Sequence, residues 1–161
     1  MQLHPKPHRY LVIFISLIAA VSCTSDRFYE ESRKIEGGSW SVANKVIFPV
    51  TISDTSAFYN FYIDVRNELR YPYSNLYLFL QTRFPDGRRT RDTIECMLAS
   101  PDGKWLGSGT GNLRSNRFLF QQHIRFRQQG IYLIELEQAM RVQDLEGIRD
   151  VGIRIDKNVY R

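Results

Sequence analysis

Apolar side chains recur at every second position through most of this chain. In Phe58–Asn67 one face reads Tyr59, Phe61, Ile63 and Val65, and the other Asn60, Tyr62, Asp64 and Arg66. Residues two apart share a face of an extended strand, so the pattern predicts a half-buried antiparallel strand. Asn75–Phe84 follows with Leu76, Leu78 and Leu80 on one face and Tyr77, Gln81 and Arg83 on the other. Phe79 breaks that alternation, which predicts a central strand covered on both faces. Val46–Ser53 alternates too, but Pro49 cannot donate to a ladder, so an edge or bulged strand is expected. Thr90–Leu98 and Phe118–Phe126 (Phe118, Phe120, Ile124 and Phe126 together) continue the pattern. So do Gly130–Arg141 and a last strand with Val151, Ile153 and Ile155 inward. Pro85-Asp86-Gly87 and Pro101-Asp102-Gly103 read as tight turns, and Leu106–Leu113, with Gly107, Gly109 and Gly111, as a glycine-rich bend or bulged strand. About eight strands and no amphipathic helix predict an all-β, two-sheet antiparallel β-sandwich spanning residues 42–161.

The N-terminus follows a different rule. Lys6 and Arg9 precede an apolar run, Tyr10–Val21, and then Ala20-Val21-Ser22-Cys23. A basic stretch, a short apolar core and small residues before a cut site mark a secretory signal over residues 1–22. The cysteine directly after the small residue is the signature of a bacterial lipobox, with Cys23 as the lipidated residue. An ordinary signal peptide with Cys23 merely beside the cut is the alternative. Residues 23–41 are polar and end in Gly37-Gly38-Ser39, which predicts a lipidated cysteine followed by a tether. Phe28, Tyr29 and Ile35 are the residues within it able to dock on the domain.

Charge adds little to this picture. Without Lys6 and Arg9 the 22 basic residues fall to 20 against 17 acidic ones, a net charge of +3. That does not call for nucleic acid, which an exported protein rarely meets. With Cys23 committed to lipid, Cys96 has no disulfide partner and reads as a small buried hydrophobe.

No pattern in the chain specifies catalysis. The sequence holds no metal-ligand spacing, no Gly-x-Ser-x-Gly elbow and no pair of carboxylates that can be singled out, so no enzyme, metal or cofactor is expected. His123 reads as a surface histidine, and Asp86 and Asp102 as turn residues. Tyr71, Tyr73 and Trp105 sit in or beside loops, either as packed anchors or as a partner-binding platform.

Tyr-Pro-Tyr-Ser-Asn-Leu-Tyr-Leu-Phe at 71–79 and Asp-Gly-Lys-Trp-Leu-Gly at 102–107 resemble the gliding motility lipoprotein GldH family. Gln138-Ala139-Met140-Arg141 and the tail from Leu145 to Gly152 do so as well. The resemblance covers the chain after the signal and implies a membrane-anchored lipoprotein of the cell envelope, facing the periplasm. It implies a non-enzymatic part in gliding motility or the associated secretion machinery, through contacts with envelope proteins. A lipid-anchored module binding carbohydrate or peptidoglycan through Tyr71, Tyr73 and Trp105 is the other reading.

Overall fold

The computed structural model describes residues 26–158. Cys23 and the signal segment lie outside the described residues. Ten strands run in the order β1 (Arg27–Lys34), β2 (Ser39–Ser41), β3 (Val46–Ile52), β4 (Phe58–Glu68), β5 (Asn75–Arg83), β6 (Arg89–Met97), β7 (Leu113–Ile124), β8 (Gly130–Gln138), β9 (Asp144–Glu146) and β10 (Ile148–Asn158). Two four-stranded antiparallel sheets, ordered β1-β10-β4-β7 and β3-β8-β5-β6, face one another, and β2 pairs with β9 beside them.

The alternation read from the sequence builds the interior. Tyr59, Phe61, Ile63 and Val65 of β4 and Val151, Ile153 and Ile155 of β10 meet Phe48, Val50 and Ile52 of β3, Leu76, Leu78 and Leu80 of β5, and Tyr132, Ile134 and Leu136 of β8 in one apolar cluster. Removing such side chains from water is the main favourable term in folding, roughly 1.5–3 kcal/mol for each large one. β3 is an edge strand, as Pro49 requires, and β5 is central, between β8 and β6. The outer face of β5 is not covered as Phe79 led one to expect: Tyr77 is exposed, and Phe79 is sheltered only in part, by its neighbours and not by a further layer. The Arg91 guanidinium lies 4.0 Å from the centroid of the outward Phe79 ring.

The tether expected over residues 24–41 is not one, because Arg27–Lys34 is the edge strand of the first sheet, in register with β10. Its positions opposite Ile155, Ile153 and Val151 are Tyr29, Glu31 and Arg33, so no apolar alternation announced it. The Tyr29 hydroxyl donates to Glu31 at 2.6 Å, and Arg33 lies 2.5 Å from Glu31. Inward-facing charge blunts a sheet edge against pairing with another chain. Ile35 is buried, and its amide donates to the Arg149 carbonyl at 2.8 Å. Trp40 of β2 is fully buried, its indole N–H donating to the Asn44 carbonyl at 2.7 Å. The folded unit therefore begins near residue 27, not 42.

The glycine-rich bend is an irregular link, bridged to β7 at Ser108–Ser115 and by Arg114, whose guanidinium donates to the Gly111 carbonyl at 3.1 Å. A Cβ on Gly107 would sit 2.6 Å from the Asn116 side chain, so the link depends on glycine for its approach. Within β7 the register with β4 shifts twice, and His123 takes φ +59 there, its ring stacked 4.1 Å from that of Phe58.

All long strands share two ends. The proximal end, where β1 begins at Arg27, also holds the loops after β3, β5 and β7. They are tied together by Gln129 to the Ser53 carbonyl at 2.8 Å, Gln128 to Asp86 at 3.1 Å and Lys157 to Asp54 at 2.7 Å. The distal end holds the loops after β4, β6 and β8.

Candidate functional site

At the distal end the chain leaves β4 through Leu69-Arg70-Tyr71-Pro72-Tyr73-Ser74. The Tyr71 amide donates to the Glu68 carbonyl at 3.1 Å, closing a turn that drives its ring inward. That ring is 4% exposed and its hydroxyl donates to the Asn75 carbonyl at 2.9 Å. Burial pushes the phenol well above its ordinary value. The backbone of Tyr71 lies against Gly147, where an added Cβ would stand 2.9 Å from the Tyr71 Cα and where φ is +87. Tyr71, a candidate for partner binding on its sequence, is therefore part of the interior.

Tyr73 points the other way. It is 37% exposed and meets Tyr71 edge to face, with centroids 5.6 Å apart. Trp105 is half-buried in the next hairpin, bridged to Ala99 and packed on the core. The amides of Leu98 and Ala99 both donate to the Ser74 carbonyl, at 2.8 and 2.9 Å, so the tryptophan hairpin is fixed to the tyrosine loop. The three rings do not form one platform.

Tyr73 instead borders a groove of about 470 Å³ with Tyr77, Phe79, Met140 and Val142, and with Arg141 at its rim. One wall is the outer face of β5; the other is the segment after β8. Gln138, almost fully buried, shapes that second wall: its side chain accepts from the Met140 amide and donates to the Val142 carbonyl, both at 2.9 Å. The Ala139 amide donates to the Tyr77 carbonyl at 2.8 Å, and the Tyr77 amide donates to Met140 Sδ at 3.3 Å. A hydrogen bond with Glu95 holds the Tyr77 phenol above its ordinary value. Tyr77 and Met97 on the adjoining strand are both exposed. An apolar groove with rings held on rigid strands, beside a methionine that can adapt its shape, is suited to taking apolar side chains of a partner.

Sequence reading missed Tyr77, Phe79 and Met140 as one surface. The signals were a tyrosine on the polar face of β5 and the unexplained Phe79; joining them to Met140 required the β5–β8 pairing, in which Phe79 lies opposite Glu137. Cys96 is fully buried opposite Leu76, and burial pushes its thiol up to about 12. At that value the thiol stays protonated near neutral pH, which does not suit a thiolate nucleophile.

The family model described as GldH lipoprotein matches residues 27–155. Among curated proteins, a "Gliding motility lipoprotein GldH homolog" of Christiangramia forsetii is 34% identical over 154 residues, covering 91% of this chain and 94% of its own length. "Gliding motility lipoprotein GldH" of Flavobacterium johnsoniae is 29% identical over 153 residues, with the same shares covered.

Proposed function

The chain belongs to the GldH lipoprotein family, and from that premise we propose that it is a membrane-anchored lipoprotein of the cell envelope, serving gliding motility through protein–protein contacts. Cys23 is the acylated residue in this reading, and the domain faces the periplasm. The groove bordered by Tyr73, Tyr77, Phe79 and Met140 carries the proposal. It lies at the end away from the anchor, it is apolar, and its walls are fixed by backbone and Gln138 hydrogen bonds. Side chains held in this way lose little freedom on binding, which favours them as interface anchors. The carbohydrate reading rested on three rings together, and Tyr71 is buried.

A photo-crosslinking residue in place of Tyr77, expressed in cells, tests the contact. The expected result is a discrete adduct with an envelope protein that weakens when Tyr73→Ala is added. It should be absent when the probe replaces Leu119, which is more exposed still, on the opposite sheet. Adducts with glycan polymer, or equal yields at both positions, would count against the groove. The anchor is tested separately: Cys23→Ala should accumulate unprocessed precursor without acyl label.

A further inference from the structure

The proximal end carries cations that the fold does not neutralise. Arg83 and Arg89 stand directly opposite each other across the β5–β6 ladder, both exposed. Like charges in that position repel. Arg127 is exposed in the loop after β7. Among the described residues none of these three is paired with a carboxylate; the nearby Asp86 is taken by Arg88 at 2.7 Å and by Gln128. Between Arg83 and Arg89 lies a groove of about 510 Å³ with an apolar wall of Phe84, Pro85 and Ile131, the last 56% exposed. Guanidinium groups flanking an exposed apolar strip match a surface that is anionic outside and apolar beneath.

The position of the first strand supplies such a surface. β1 begins at Arg27, and the carbonyl of Asp26 already accepts from the Lys157 amide at 2.7 Å. Thr24, Ser25 and Asp26 alone separate Cys23 from Arg27. A fully extended chain covers that distance in about 14 Å at most. The distal end is a further strand length away, roughly 36 Å for an 11-residue strand such as β4. An anchor at Cys23 thus holds the proximal end close to the bilayer, within reach of the field of its headgroups.

We propose that the proximal end docks on the anionic phospholipid headgroups of the membrane that holds the anchor, through Arg83, Arg89 and Arg127, with Ile131 and Pro85 entering the interface. The proposal rests on acylation at Cys23. A basic patch of this kind is a second membrane signal beside the acyl chains, and it turns the apolar distal groove outward.

The test uses the full acylated protein in vesicles of phosphatidylcholine, with and without phosphatidylglycerol. Ile131→Cys and, at the distal end, Thr110→Cys each receive an environment-sensitive fluorophore; Cys96 is too buried to react. Emission from position 131 should move to shorter wavelength only when phosphatidylglycerol is present, and should return on adding salt. Emission from position 110 should not move. The variant Arg83→Gln/Arg89→Gln/Arg127→Gln should lose the shift while melting as the parent does and still floating with the vesicles. Unchanged emission from position 131 in anionic vesicles, an equal shift at position 110, or a shift kept in the triple variant would overturn the docking. Flotation with vesicles of phosphatidylcholine alone reads the anchor independently: its loss would overturn acylation at Cys23, whatever the fluorophores report.

Discussion

At the distal end Arg70 and Arg149 both reach the Glu68 carboxylate, Arg149 at 2.9 Å, and Arg66 lies 2.5 Å from Asp150. At the proximal end Arg83, Arg89 and Arg127 reach no carboxylate among the described residues. The same residue type thus does two jobs. Glu68 and Asp150 are buried, and each needs a cation beside it, because an uncompensated buried carboxylate is costly. Arg83, Arg89 and Arg127 are exposed and compensate no buried carboxylate. The apolar surface is divided the other way. Distal rings and Met140 frame a groove with fixed walls, whereas the proximal apolar strip is narrow and lies between charges. A charge that stabilises is thereby separated from a charge held ready for something outside the molecule.

The comparison breaks most visibly at the distal interior. Tyr71→Ala and Trp40→Ala should each lose about 3–5 kcal/mol, the cost of emptying a fully buried aromatic site. Chemical denaturation of the two variants checks this. Losses under about 1 kcal/mol would mean that the distal loops are not part of the folded core. Next in size is Tyr71→Phe, which keeps the ring and removes only the hydroxyl that donates to Asn75. It should cost about 1 kcal/mol, and up to about 3 if the freed carbonyl finds no other donor. Comparison of its denaturation midpoint with that of Tyr71→Ala separates packing from hydrogen bonding.

Tyr73→Ala and Tyr77→Ala sharpen the contrast between neighbouring rings. Both are exposed, so their melting temperatures should stay within about 2 °C of the parent. Motility should nevertheless fall in a complementation assay if the groove is the contact surface. The smallest effect concerns acid at the proximal end. The Lys157 side chain, and then Ser56, hold the Asp54 carboxyl well below the usual range. A depressed carboxylate contributes stability above its unfolded value, about 4, and loses it as pH falls toward the folded value. Below about pH 4 the parent's melting temperature should therefore fall more steeply than that of Asp54→Asn, which keeps the bonds from Ser56 and Ala57 but not the ion pair. Parallel profiles would remove Asp54 from the account.

The sandwich was legible wherever one face of a strand is buried and the other is wetter: β3, β4, β5 and β8 follow the period of two, as does β10 from Ile153 to Asp156. It was illegible in β1, whose inward positions are Tyr29, Glu31 and Arg33, and in β2, where a single Trp40 between serines is too short a pattern to weigh. The site shows the same limit. Tyr71 and Tyr73 flank one proline and look alike in the sequence. Which ring turns inward is decided by the space left at Gly147 and by the Asn75 carbonyl, neither of which the Tyr-Pro-Tyr motif contains. Met140 joins the groove only because β8 pairs with β5.

β10 lies between β1 and β4, so the first strand has no partner until the last one exists. Residues 27–34 have no ladder partner, and the first sheet cannot close, before residues 148–158 are in place. Ladders between such distant segments form late and slowly. Their charged inner face keeps the waiting segment from pairing with a neighbouring chain. The first sheet is therefore complete only once the last strand is seated between β1 and β4. A chain cut short before Ile148 would leave its opening segment without a ladder partner, open to proteolysis along residues 27–34.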